Sequence, residues 1–121
     1  MFSIIKKYAG FSDDRGEFCG VLNEGNWGEV NYVFTKKGAI RGNHFHKNVV
    51  EIVFLLKGEM TVEVSDIKDS NILETVHLKA GEGIRLEPYL YHVMKYDTDC
   101  EQLSILDQPF EENNPDIHRK A

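Results

Sequence analysis

The sequence predicts an all-β domain closed into a sandwich or barrel, and three observations carry that prediction. Apolar residues recur with period two or in short runs rich in Val, Ile, Phe and Tyr, the spacing of strands whose side chains alternate between two faces. Gly, Asn and Asp break these runs at short intervals, as interstrand turns require. No segment carries a convincing helical repeat of apolar residues.

In chain order, strands are expected at Ile4-Tyr8, Glu17-Leu22, Glu29-Thr35, Ile40-His46, Ile52-Leu56, Met60-Ser65, Leu73-Leu78, Gly83-Leu86, Tyr91-Tyr96 and Glu101-Leu106. Each alternates or is continuously apolar over about four to eight residues. The turns expected between them are Lys37-Gly38, Lys57-Gly58, the polar stretch Asp66-Asn71, and Ala80-Gly81-Glu82-Gly83, all built from residues that favour turn geometry. From Pro109 the run Phe110-Glu111-Glu112-Asn113-Asn114-Pro115 breaks the alternation. Residues 1–108 therefore read as one barrel, and residues 109–121 as a surface tail or short cap. No internal repeat or interdomain linker interrupts the chain.

A chain of 121 residues suffices for one modest core. With 41% hydrophobic and 28% charged residues it lies outside the composition of disordered chains. A formal net charge of −6 opposes contact with phosphate backbones, so nucleic acid is excluded as a partner. Inward-facing arginines could still hold a small anion. Cys19 and Cys100 match neither a zinc-knuckle nor a redox spacing. Lys6 and Lys7 follow only a short apolar stretch, and no window reaches membrane-spanning length. The expectation is a cytoplasmic protein with no membrane partner.

Chemistry concentrates on histidines. His44 and His46 are two apart in an expected strand, so both imidazoles point to the same side of the sheet. Glu51 opens the next strand, and the turn between the strands can return its carboxylate toward them. His92, after Pro88, lies in a strand that could neighbour the first pair. Three imidazoles and one carboxylate converging on a point suit one divalent transition metal, zinc, manganese, iron or nickel. No organic cofactor is expected.

The spacing Gly38-x5-His44-x-His46-x4-Glu51-x6-Gly58 resembles the first motif of the cupin superfamily, which implies a single cupin (jelly-roll) barrel. The second motif is represented by Gly81 or Gly83, Pro88 and His92, with Leu90 and Tyr96 at the positions where the family carries Gly and Asn. The resemblance puts His44, His46, Glu51 and His92 on the four metal-ligand positions.

Two cupin groups are resembled more narrowly. Asp14-Arg15-Gly16-Glu17-Phe18 and Lys37-Gly38-Ala39-Ile40-Arg41-Gly42-Asn43-His44 are similar to the opening of dTDP-4-dehydrorhamnose 3,5-epimerases. There the matching His is the base and the matching arginines, here Arg15 and Arg41, hold phosphates, as bidentate guanidinium groups do. Where those enzymes carry a Lys, this chain has Glu51.

The sugar 3,4-ketoisomerases (WxcM-like) are resembled over residues 28 to 107, through Gly42-Asn43-His44-Phe45-His46-Lys47 and Pro88-Tyr89-Leu90-Tyr91-His92, with Tyr91 in place of Trp. Their catalytic tyrosine falls on Tyr32. The resemblance implies catalysis by His44, His46 and Tyr32, substrate binding by Arg15, Arg41, Lys47 and Tyr91, and a nucleotide-linked sugar as partner. It also implies a homodimer of polysaccharide biosynthesis.

The implied activity is that of an isomerase, a 3,4-ketoisomerase or a 3- or 3,5-epimerase. It would act on a 4-keto-6-deoxyhexose linked to a nucleoside diphosphate, by proton abstraction alpha to the ketone. The alternatives are a metal-dependent cupin enzyme, either a dioxygenase or a small-molecule isomerase, and a non-catalytic sugar-binding cupin.

Overall fold

A computed structural model of the chain describes residues 2–120. Eleven strands follow one another: β1 Phe2–Lys6, β2 Tyr8–Asp13, β3 Gly16–Gly20, β4 Glu29–Thr35, β5 Ile40–His44, β6 Glu51–Lys57, β7 Glu59–Asp66, β8 Asp69–Lys79, β9 Glu82–Leu86, β10 Leu90–Tyr96 and β11 Cys100–Leu106. The described residues contain no helix, and therefore none long and apolar enough to cross a membrane.

Two antiparallel sheets face each other, one in the order β1-β9-β6-β11-β4 and the other in the order β5-β10-β7-β8. The core lies between them. Val53 and Leu55 of β6, Ile84 and Leu86 of β9, and Cys100 of β11 meet Met60, Val62 and Val64 of β7, Leu78 of β8, and Met94 and Tyr96 of β10. These positions recur every second residue, so each strand gives one face to the core. The β6 run Ile52–Leu55 is buried on both faces; on the neighbouring strand Arg85, opposite Ile52 in register, has its guanidinium 5.7 Å from the Trp27 ring.

The expected strands differ from the observed ones in four places, the simplest being β3, which stops at Gly20 rather than Leu22. The segment expected as one strand, Ile4-Tyr8, belongs to β1 and the start of β2, which pairs only with β3 in a separate hairpin. Every residue of β2 is exposed, so no core face imprinted alternation on Ala9, Gly10, Ser12 and Asp13. The Asp66-Asn71 turn contracts, because β7 and β8 continue to pair through a bulge as far as Asp66 and Asp69. β5 ends at His44, two residues early, with Phe45 held instead in an isolated bridge to His118.

The interior is polar at one end. The Tyr96 hydroxyl donates to Gln102 Oε1, and Gln102 Nε2 donates to Ser104 Oγ at 3.1 Å. All three residues are buried. Burial pushes the Tyr96 hydroxyl up to about 12, against the opposing pull of Thr35 and Arg41.

An unfolded tyrosine ionises near pH 10, so the folded state holds this proton more tightly. The associated stability is complete below about pH 10 and is lost as pH rises through about 12. Urea unfolding at stepped alkaline pH is predicted to show this loss, with a shallower decline in Tyr96→Phe. Equal declines in the two proteins would exclude Tyr96 as its source.

Candidate functional site

The histidine–glutamate cluster is assembled from three elements and the tail. His44, at the end of β5, lies opposite His92 of β10 in register. Glu51 is the first residue of β6. His46 follows β5, and the C-terminal tail holds it. Phe45 turns the other way and packs against Tyr89 and His118, so the alternation that puts His44 and His46 on one side survives the end of the strand.

A bulge aims His44. The β10–β5 register shifts between His92 and Val93, pairing His92 with His44 but Val93 with Gly42, so Asn43 is the extra residue. Arg41 and His44 are an odd number of positions apart and would face opposite sides of a regular strand. The bulge brings both inward. Gly42 and Asn43 adopt left-handed conformations, with φ of 87° and 57°. A Cβ on Gly42 would lie 2.8 Å from the His92 carbonyl oxygen.

The ring centroids of His44 and His92 are 4.7 Å apart, those of His44 and His46 5.0 Å, and those of His46 and His92 5.4 Å. Glu51 Oε1 lies 3.1 Å from His46 Nε2 and 3.8 Å from His92 Nε2. One ligand atom from each of the four residues falls within 4.8 Å of the others. Glu51, His46 and His92 are buried, and His44 is half-buried at the mouth.

Backbone carbonyls set the tautomers. His46 Nδ1 meets the Asp116 carbonyl at 2.6 Å and His92 Nδ1 meets the Leu90 carbonyl at 3.1 Å. A carbonyl only accepts, so both Nδ1 atoms carry hydrogen and both Nε2 atoms turn to the cluster. His92 Nε2 is buried and has no hydrogen-bond partner, and an unsatisfied buried acceptor of this kind costs about 1–3 kcal/mol.

Charge is divided unequally. Burial works against the Glu51 carboxylate, but the hydrogen bond from His46 and the surrounding imidazoles hold it below the usual carboxylate range. Burial likewise opposes charge on His46, and its bonds to Glu51 and the Asp116 carbonyl outweigh burial and raise it. Both shifts share the Glu51–His46 contact at 3.1 Å. Burial lowers His92. Burial, then His92 and His46, push His44 down to about 4. At neutral pH His44 is therefore uncharged and keeps a lone pair at the mouth of the site.

The structure brings together His44, His46, Glu51 and His92. Arg41 faces the same interior, its Nε 2.8 Å from Thr35 Oγ1. The other residues singled out in the sequence lie elsewhere. Tyr32 is on the outer face of β4, 59% exposed, with its hydroxyl on Glu101 Oε1 at 2.8 Å. Its neighbour Asn31 pairs with the buried, inward Ser104. Tyr91 alternates with His92 and so points outward, toward Asn43 Oδ1 at 3.5 Å and Lys120, whose Nζ is 4.2 Å from the ring. Arg15 sits on the β2–β3 hairpin, bound to Asp13 at 2.7 Å. Lys47 has an exposed side chain, and its backbone N–H is held by Asp116.

Asp116 is the residue that the sequence reading missed. Its carboxylate takes the N–H groups of Lys47, Asn48 and Val49 at 2.9, 2.7 and 2.9 Å. Burial opposes its charge, but these bonds prevail and hold it at about 2. Ile117 beside it is exposed, so no apolar signal in the sequence marked this contact.

The two facing sheets with an inward histidine–glutamate centre define a single cupin (jelly-roll) barrel. The family model of the polysaccharide biosynthesis C-terminal domain matches residues 11–118, and the chain belongs to that family. No curated protein matches it. Among solved structures it is similar to a mutant of the 3,4-ketoisomerase QdtA from Thermoanaerobacterium thermosaccharolyticum in complex with TDP-4-keto-6-deoxyglucose, with 18% identity, coverage of 93% of this chain and 84% of that one, and a TM-score of 0.78. The dTDP-4-dehydrorhamnose 3,5-epimerase from Sulfolobus tokodaii gives 22% identity, coverage of 93% and 74%, and a TM-score of 0.79. The capsular polysaccharide assembling protein CapF from Staphylococcus aureus gives 22% identity, coverage of 91% of this chain but only 33% of CapF, and a TM-score of 0.72. At these identities the likeness establishes the fold.

Gly42→Ala is predicted to lose about 1–3 kcal/mol of stability, because a side chain there is strained in the left-handed region and meets the His92 carbonyl. Denaturant unfolding would measure the loss, and a variant as stable as wild type would contradict the role given to the bulge.

Proposed function

We propose that the chain is a sugar-nucleotide isomerase or epimerase that removes a proton alpha to the ketone of a nucleotide-linked 4-keto-6-deoxyhexose. The observation that carries this reading is His44, uncharged and half-buried at the mouth of an otherwise buried cluster. The likeness to a ketoisomerase holding TDP-4-keto-6-deoxyglucose and to an epimerase supports the substrate class.

A 4-keto sugar has an acidified C3–H, and its removal leaves an enolate whose charge must be stabilised. His44 takes the proton. The enolate oxygen develops beside His46, the ring with an N–H to offer it, with Arg41 on the same interior wall to draw the diphosphate. Reprotonation requires an interior donor. Tyr32 is on the outer face, and His46, raised by its bond to Glu51, is the interior group to which we assign that proton. Return of the proton to the opposite face of C3 epimerises the sugar, and delivery to C4 with proton exchange between the oxygens moves the ketone.

The donor set also fits one divalent transition metal. His92 Nε2 is buried, unpartnered and aimed at the other three ligand atoms, and both carbonyl-bound imidazoles have the outer-shell support typical of ligating histidines. His44, His46, Glu51 and His92 would hold the ion, which would supply Lewis acidity to an enediolate. This is the observation that favours the second reading, a metal-dependent cupin enzyme.

A homodimer is part of the proposal. The outer face of β4 exposes Val30, Tyr32 and Phe34 in one row at 61%, 59% and 47%, and the all-exposed β2 leaves Phe11 stacked on Phe18 at 5.4 Å with neither ring covered. A second copy is the occupant suited to both surfaces. Sedimentation is predicted to give twice the chain mass, with Tyr32→Glu shifted to the monomer. Dimeric Tyr32→Glu would move the interface elsewhere.

The catalytic test is NMR of dTDP-4-keto-6-deoxyglucose in D2O. Deuterium is expected at C3, about 10²–10⁴-fold slower with His44→Asn, the range lost when a general base is removed. Exchange abolished by chelator would favour the metal-dependent reading. Ligand binding without exchange would favour the sugar-binding module.

A further inference from the structure

We propose that residues 115–120 are a positioning strap for this site, with Asp116 as the residue that fixes His46; the inference rests on reading the His44, His46, Glu51 and His92 cluster as the functional centre. A tail that merely covered a barrel end would contact the core surface. This one is bonded to the two segments that aim the cluster.

The first attachment is at His46. Asp116 holds the histidine ring through its carbonyl, which accepts Nδ1–H at 2.6 Å, and holds the chain just after it through its carboxylate, which accepts the N–H groups of Lys47, Asn48 and Val49. His118 Nε2 meets the same carboxylate at 2.8 Å. The turn so closed is the one that separates His46 from Glu51, whose side chains must meet at 3.1 Å. One residue therefore sets both the ring edge that faces the centre and the path between two of its members.

The second attachment is at the bulge. Phe45 and His118 exchange backbone hydrogen bonds at 2.9 and 3.0 Å, which continues the β5 edge with a piece of the tail. Arg119 Nη1 then donates to the carbonyl oxygens of Gly42 and Asn43 at 2.7 and 2.8 Å. These are the two left-handed residues that turn His44 inward. The tail thus fixes His46 directly and His44 through the bulge. The hydrophobic core lies on other residues, so loss of the strap should disturb the site locally.

The test uses full-length wild type and Asp116→Ala, with two readouts. Diethyl pyrocarbonate modification, followed by mass spectrometry, is predicted to accelerate at least ~10-fold at His46 while buried His92 stays protected and exposed His77 reacts as before. Co2+ affinity is predicted to fall about 10–100-fold, the range seen when a ligand's outer-shell support is disturbed. Alanine keeps the carbonyl on His46 Nδ1 but loses the carboxylate that holds that carbonyl and the Lys47–Val49 turn in place. Asp116→Asn is predicted to be intermediate because it keeps one acceptor oxygen. An unchanged His46 rate, equal acceleration at His92, or unchanged Co2+ affinity in a wild type that binds the ion would each overturn the strap. A wild type that takes up no Co2+ would instead overturn the metal reading, and the modification rates alone would then decide the strap.

Discussion

Two backbone carbonyls, those of Leu90 and Asp116, govern the chemistry available to this barrel. Each takes the Nδ1–H of one imidazole and so commits the opposite ring edge to the interior. For His46 the committed edge finds Glu51, whose bond raises the ring against burial. For His92 it finds nothing within hydrogen-bond reach. Burial lowers His92, the bond to Glu51 raises His46 against burial, and burial, then His92 and His46, push His44 down to about 4. A site arranged in this way is organised before anything binds, which is what metal coordination and enolate stabilisation both demand.

The barrel achieves this by inverting an ordinary strand. β4 reads Glu-Val-Asn-Tyr-Val-Phe-Thr, and simple alternation would bury Val30, Tyr32 and Phe34. The structure instead buries Thr35, which takes Arg41, and puts half-buried Val33 on the same side, while Asn31 pairs with Ser104 at an exposed position. The apolar row Val30, Tyr32 and Phe34 is left outside. This one choice explains the exposed aromatic row, the position of Tyr32, and the need for a proton donor other than Tyr32.

Much of the site was legible in the sequence because strand periodicity and motif spacing are local. His44 and His46 share a side through Phe45, and the interval to Glu51 is short enough for one turn to close. His92 was identified by its motif, and the structure supplies the register that sets it opposite His44. What was not legible depends on events that local patterns do not record. The Asn43 bulge changes which residues of β5 face inward. The tail residue Asp116 reaches Lys47 across 69 positions, and nothing in its polar surroundings announces that contact. The strands show the same divide: core-facing strands such as β10 have clear patterns, whereas β2, with no buried face, has none.

The most direct measurement is a long-range 1H–15N correlation spectrum of the imidazoles in metal-free wild type near neutral pH. The account predicts His92 protonated on Nδ1 with a bare Nε2, and His46 carrying hydrogen on Nδ1. A His92 ring protonated at Nε2, or a His46 Nδ1 without hydrogen, would contradict the claim that these two carbonyls direct the imidazole edges into the site.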